Sequence, residues 1–338
     1  MAIIVNSSNI QIGLYVLCEN SSGLYFSGQF AATGFNELSP MAGAIAGFSS
    51  AGYSMAAADI SNRVDKTIFS SGGNSACVGQ LCNNRGSSSG QSSSTHGYTS
   101  GGSNAGPVYV KSDVIDKFPF ASGGTATGVG TLAGCARERS AGSSSTVSGY
   151  ASGGGFPTVS CINKFPFATD SSAPVIGGLV AARQNPAGLS SYVSGYVAAG
   201  GPPATNIIEK FPFASNSSSI QIGCLTVARD DTKNGISSST NGYVGNGFAP
   251  SLSPSTSCVV DKFPFATDSN ARDVLDFSTF RAVTAGFSST LDGYSSGGFI
   301  SPAGDSGVID KFPFATDSVA VCIGCLSQSR YLPAGQQD

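Results

Sequence analysis

Residues 261–269 read DKFPFATDS, and residues 310–318 repeat them letter for letter. Looser copies begin at Asp116 (DKFPFASGG), Asn163 (NKFPFATDS) and Glu209 (EKFPFASNS), so the starts fall 46 to 52 residues apart. Self-similarity at a period of roughly 20 to 50 residues marks solenoids and propellers, in which one supersecondary unit buries its apolar face only against the next copy. The 338 residues are therefore read as copies of one unit before any division by length.

Aligned on this motif, the unit reads A-G-x-S-S, G-Y-x-x-G-G, V-I-D-K-F-P-F-A-T-D-S and G-x-L-x-x-x-R. An Arg stands five residues before a Gly at Arg85/Gly90, Arg137/Gly142, Arg183/Gly188, Arg281/Gly286 and Arg330/Gly335, while Arg229 reaches Gly235 with one residue inserted. A Gly-Tyr pair follows at Gly97-Tyr98, Gly149-Tyr150, Gly195-Tyr196, Gly242-Tyr243 and Gly293-Tyr294, and Gly52-Tyr53 stands closer behind Gly47. The first two segments are joined by a tight polar turn, as a hairpin requires. V-I-D-K-F-P-F alternates apolar and polar up to its Pro, which has no N–H for a ladder and so ends the strand or sits at an edge. No segment has helical period or helix caps.

Four antiparallel strands in a unit of about 48 residues make a β-propeller blade, and the fold class is all-β. A β-solenoid is the weaker alternative, because its coils are shorter and lack the hairpin pair. The order Arg, apolar strand, Gly-Tyr-x-x-Gly-Gly, Val-Ile-Asp-Lys-Phe, Leu-x-x-x-Arg resembles the kelch motif over nearly the whole chain. It departs from that motif in having no Trp, and in the broken Gly-Gly after Tyr243. The KFPFATD repeats are also similar to kelch-like proteins encoded by phages of marine and cyanobacterial hosts, which implies a virion appendage.

Six units carry both repeat cations: Lys66/Arg85, Lys117/Arg137, Lys164/Arg183, Lys210/Arg229, Lys262/Arg281 and Lys311/Arg330. Ahead of them, Leu38, Ala42 and Gly47 fall on the same ruler with Ala in place of Arg, and SSNIQIGLYVLC imitates a first hairpin. Residues 1–44 thus read as a degenerate first blade, giving seven blades in a single propeller domain over 1–338. In that reading the C-terminal RYLPAGQQD lies beside the N-terminal blade. The alternative is six blades with 1–44 as an N-terminal attachment segment.

Of 17 Lys and Arg, 12 are these repeat positions, which assigns them a structural role: each Arg is expected to bond carbonyls or a carboxylate of a neighbouring blade. The rival, a ring of cations gripping an anion, fits less well with positions that recur in every blade. The two Phe of KFPF are expected to pack blade on blade.

Net charge is −3 with no basic cluster, so the footprint of a nucleic-acid binder is missing. No run of about 18 apolar residues suggests a membrane span, and the N-terminus lacks a signal-peptide pattern. Nine Cys at irregular spacing do not suggest a disulfide framework, and Cys322-x-x-Cys325 reads as buried strand filler. With His96 the only His, no His-based metal centre such as that of galactose oxidase, a kelch-type enzyme, can be assembled; no metal or other cofactor is expected. The carboxylate pairs Asp230-Asp231 and Asp273/Asp276 read as solvated surface.

Variation is concentrated between the Gly-Tyr strand and the Lys strand, where GGSNAGPVYVKSD, GNGFAPSLSPSTSC and GGFISPAGDSG lengthen the loop. Such insertions project from one face, often the binding face. Tyr109, Lys111, Phe248 and Phe299 are the candidate binding residues there. The expected function is a non-catalytic structural or adhesive propeller in a phage tail or head-surface appendage, made in the host cytoplasm. Its partners would be other virion proteins or a host-surface glycan or protein, and copies of the chain could associate in the assembly. The alternative is a carbohydrate-active enzyme, sialidase-like or lyase-like, on the same scaffold.

Overall fold

The computed structural model describes residues 43–55, 59–104, 109–134, 136–252 and 254–338, together with the backbone of four short strands nearer the N-terminus. The chain divides into two compact units, Met1–Glu37 and Leu38–Asp338. In the first, Ala2–Asn6 pairs antiparallel with Asn9–Gly13, and Leu17–Asn20 with Gly23–Phe26.

The second unit is a six-bladed β-propeller, with no helix among the described residues. Blade 2 runs outward through Ser89–Ser92, His96–Ser100, Val114–Pro119 and Thr127–Thr131. Blade 3 uses Ala141–Ser144, Ser148–Ser152, Cys161–Pro166 and Val175–Gly178, and blade 4 uses Ala187–Ser190, Ser194–Ala198, Thr205–Pro212 and Ile220–Arg229. Blade 5 comprises Gly235–Ser237, Asn241–Gly245, Val259–Pro264 and Arg272–Asp276; blade 6 comprises Ala285–Ser288, Asp292–Ser296, Val308–Pro313 and Val321–Cys325. Blade 1 is split. Its inner strand is Ala334–Gln337, followed outward by Ala46–Ser50, Arg63–Ile68 and Ala76–Gln80.

The blade count corrects the expectation of seven. AGFSS at 46–50 has the first-strand pattern, yet it forms the second strand of its blade: Phe48 faces Lys66 in the register in which Tyr98 faces Lys117. Gly47-Phe48 therefore takes the place of Gly-Tyr, and Ala51-Gly52 that of Gly-Gly. The C-terminal AGQQD supplies the missing first strand by pairing antiparallel with Ala46–Ser50. A ring needs its ends joined, and here the joint lies inside one blade. None of the six blades takes a strand from the described residues before Ala46; Leu38 and Ala42, on which the seventh blade rested, lie outside the described residues.

Three interactions repeat around the ring and close on themselves. The inner strands meet glycine to glycine: a Cβ on Gly90, Gly142, Gly188, Gly235 or Gly335 would collide with a main-chain carbonyl of the preceding blade. Beside them, the N–H of Ser92 donates to Ser144 Oγ at 2.9 Å, Ser144 to Ser190 at 2.9 Å, Ser190 to Ser237 at 3.1 Å and Ser237 to Ser288 at 3.0 Å. Ser288 N–H then donates to Gln337 Oε1 at 3.2 Å and Gln337 N–H to Ser92 Oγ at 3.0 Å, which completes the circle.

The third ring is aromatic. Tyr98 stacks on Phe167 of the next blade, Tyr150 on Phe213, Tyr196 on Phe265 and Tyr243 on Phe314, with centroids 4.7 to 5.1 Å apart. Phe48 does the same on Phe120, and Tyr294 on Phe69. Both Phe of each KFPF lie against one ring of the preceding blade: Phe165, Phe211, Phe263 and Phe312 stand 5.3 to 5.6 Å from the same Tyr rings, and Phe118 stands 5.8 Å from Phe48. Burying such a side chain stabilises by about 1.5–3 kcal/mol, so the core lies between blades.

Candidate functional site

Because the four strands of a blade alternate in direction, one face of the propeller carries the first hairpin turns and the FATDS turns. The other carries the loops from second to third strand and the connections between blades. The first face repeats; the second, the loop face, does not.

The repeat cations are accounted for away from the loop surface. Arg85, Arg183, Arg229, Arg281 and Arg330 are buried and paired with Asp116, Glu209, Asp261, Asp310 and Asp65 at 2.6 to 3.1 Å. Burial pulls all five guanidinium pKa values down, and the facing carboxylate opposes that shift. Arg137, whose blade has Asn163 at the acidic position, donates to the Ala151 carbonyl at 2.6 Å. Lys117, Lys210 and Lys262 bond Asp170, Asp268 and Asp317 of the following FATDS turns; Lys164 bonds Asn216, Lys66 the Phe120 carbonyl, and Lys311 its own blade's Asp292.

At the loop face, the residue after each repeat Arg pairs with the residue after the Gly-Gly turn or its equivalent. The pairs are Tyr331 with Tyr53, Gly86 with Ser103, Glu138 with Gly155, Gln184 with Gly201, Asp230 with Phe248 and Ala282 with Phe299. These twelve positions encircle the channel mouth, and their chemistry is divided. Ala282, Val283 and Leu332 pack with Tyr53, Phe299 and Tyr331 into an apolar arc, in which Tyr331 lies 5.5 Å from Tyr53 and 6.0 Å from Phe299. Glu138, Gln184 and Asp230 form the polar arc.

Gly86 allows this asymmetry. A Cβ there would collide with the Tyr53 ring, so only glycine lets that ring lie over the connection from blade 1 to blade 2. The Tyr53 hydroxyl donates to Ser103 Oγ at 2.6 Å, and Ser103 Oγ donates to Glu138 Oε2. Arg139 Nε lies 3.4 Å from the other oxygen of Glu138. Burial, with Glu138 close by, pushes the Tyr109 phenol up to about 12. Burial and the neighbouring Asp231 push Asp230 up to about 6.

A ring of main-chain bonds underlies the mouth. Arg139 N–H donates to Ser87 O at 2.7 Å, Asn185 to Arg139 at 2.7 Å, Val283 to Asp231 at 2.8 Å, Leu332 to Val283 at 2.9 Å and Ser87 to Leu332 at 3.2 Å. Where the extra residue of blade 5 enters, the position splits: Thr232 donates to Asn185 O at 3.2 Å while Asp231 accepts from Val283. The insertion also aims Lys233 across the channel, where Nζ donates to the Ser88 carbonyl of blade 2 at 2.7 Å. Burial pulls this ammonium down to about 7, against Glu138 and Asp231, which favour its charge.

All four residues nominated from the sequence lie on the loop face, but not together. Phe299 belongs to the apolar arc and Phe248 pairs with Asp230. Tyr109, about half exposed, comes from the long insertion of blade 2, as does Lys111, which borders a groove of about 820 Å³ between blades 1 and 2. The channel itself offers cavities of only about 50 and 40 Å³, scarcely more than a water or two.

Sequence reasoning missed Glu138, Gln184 and Tyr331, and it placed Asp230 on open surface; Asp230 is instead partly buried at the mouth. The available signal was positional, since each follows a repeat Arg. Cys322 and Cys325 also need correction: both are exposed on the outer strand of blade 6 because the outermost strand has no fifth layer over it. His96 opens a second strand on the opposite face, its ring bonded to Thr95 at 2.8 Å. Among the described residues no cluster of three His, Cys, Asp or Glu could hold a metal, and no helix is long and apolar enough to cross a membrane. No protein-family model matches this chain, and no curated protein matches it.

Proposed function

We propose that this chain is a non-catalytic adhesive propeller, carried on a phage virion as a tail or head-surface appendage, that contacts a host-surface glycan or protein through its loop face. One observation carries the reading. Repetition is kept wherever residues join blade to blade and is lost around the loop-face mouth, where an aromatic arc meets a polar one. The chain enters the propeller on the other face, where Gly43 N–H donates to Ser288 O at 2.9 Å and Ala44 N–H to Asp338 O at 2.8 Å. The virion assignment draws its support from the resemblance of the KFPFATD repeats.

Buried, paired Arg residues are unavailable to grip an anionic substrate, and one oxygen of Glu138 is taken up by Ser103. A carbohydrate-active enzyme is favoured by a single feature, the Asp230 carboxyl held at about 6, a range suited to a general acid. Mass spectrometry of purified particles beside infected-cell lysate tests the assignment. Enrichment in particles is expected; abundance in lysate with absence from particles would overturn it. Release of reducing ends from oligosaccharides by the purified chain would favour the enzyme.

A further inference from the structure

The groove between blades 1 and 2 shares no lining residue with the two small cavities of the channel. Its lining includes the rings of Tyr53 and Tyr331, the amides of Asn83 and Asn84, and the charged side chains of Lys111 and Asp113. At about 820 Å³ it falls within the roughly 300–1,000 Å³ usual for small-molecule sites.

Three of its polar side chains are unspent, whereas Asn104, Ser112, Asp59 and Arg85 are already bonded within the fold. The protein has eight lysines, and Lys66, Lys117, Lys164, Lys210, Lys233, Lys262 and Lys311 all bond an oxygen elsewhere in the fold. Lys111 is the one whose ammonium has no partner among the described residues. The exposed amides of Asn83 and Asn84 likewise make no side-chain hydrogen bond there, and each offers a donor pair and an acceptor. The rings, by contrast, are fixed. Tyr53 is tied through its hydroxyl to Ser103, and Tyr331 is wedged between Tyr53 and Phe299.

Resting on the loop-face reading, we infer that this groove binds an oligosaccharide. A pyranose ring presents an apolar C–H face and a rim of hydroxyls that both donate and accept. Fixed aromatic rings beside free amides, the Lys111 ammonium and the carboxylates of Asp59 and Asp113 match that alternation. A nucleic acid would call for several free cations, where Lys111 is the one lining lysine.

The test probes an array of oligosaccharides, spanning neutral hexose, N-acetylhexosamine and uronate chains, with the full-length protein. Titration of the strongest hit into the Asn84→Ala and Lys111→Ala variants follows. Each variant is expected to weaken binding by about tenfold, a loss of about 1.4 kcal/mol, with an unchanged melting temperature. Asn216→Ala, on the opposite face, is expected to bind as the parent does. Absence of any hit, or a hit indifferent to both groove variants, overturns the inference. Adhesion to host-envelope fractions that is still lost on Tyr109→Ala would then leave the loop-face reading standing, whereas adhesion indifferent to all three loop-face variants would overturn that reading too.

Discussion

Lys262 of the first DKFPFATDS copy donates to both oxygens of Asp317 in the second, at 3.0 and 2.7 Å. The two verbatim copies are thus neighbours joined side chain to side chain, and the first copy's Asp, Lys and Phe positions have partners in adjoining blades. Asp261 receives Arg229 at 2.6 Å, Phe263 and Phe265 pack on Tyr196, and Asp268 receives Lys210 at 3.0 Å. Selection for identical joints between blades accounts for the repetition.

These joints differ in weight. Asp261 and Arg229 are fully buried, so Asp261→Ala strands a guanidinium in the interior and is expected to cost about 3–5 kcal/mol. Lys262→Ala breaks a pair still open to water and is expected to cost about 1 kcal/mol or less. Urea unfolding of the two variants checks the order, and equal midpoints would contradict it.

Closure of the ring rests on four residues at the C-terminus. Ending the chain after Pro333 removes the inner strand of blade 1, Gln337 with both of its bonds in the serine–glutamine ring, and the Gln336 bond to the Tyr98 carbonyl at 3.0 Å. The truncated chain is expected to aggregate or to lose its single cooperative calorimetric transition. A monomer with the parent melting temperature would show that the strand is dispensable.

Lys233 gives the protein a pH signature. Its pKa falls from 10.5 when unfolded to about 7 when folded, because burial penalises the ammonium. Between these values the unfolded chain binds a proton that the folded one lacks, so stability rises with pH across that window. Below it both states are protonated and the penalty is present in full. Lys233→Met is expected to flatten the rise in melting temperature between about pH 7 and pH 10. An identical slope in parent and variant would contradict the assignment.

Much of this was legible in the chain. The period, the Arg-to-Gly ruler and the alternation before Pro264 gave the blade, and the recurrence of Lys262 and Arg281 in other copies marked them as architecture. The blade number was not legible, because AGFSS at 46–50 satisfies the first-strand pattern while serving as a second strand; only pairing with Ala334–Gln337 distinguishes the two. The site was half legible. Tyr109 and Phe299 stood out as insertions, whereas Glu138 and Tyr331 occupy ordinary repeat positions and acquire their setting from neighbouring blades.

The central claim, that contact is made by the loop face and not by the repeated motif, is tested most directly by hydroxyl-radical footprinting of the protein bound to host-envelope fractions. Met55 and Tyr109 are exposed on the loop face, and Tyr192 and Leu291 are exposed on hairpin tips of the opposite face. Protection of Met55 and Tyr109, with Tyr192 and Leu291 oxidised as in the free protein, is the expected result. Protection of Tyr192 and Leu291 with Met55 and Tyr109 left reactive would contradict the account.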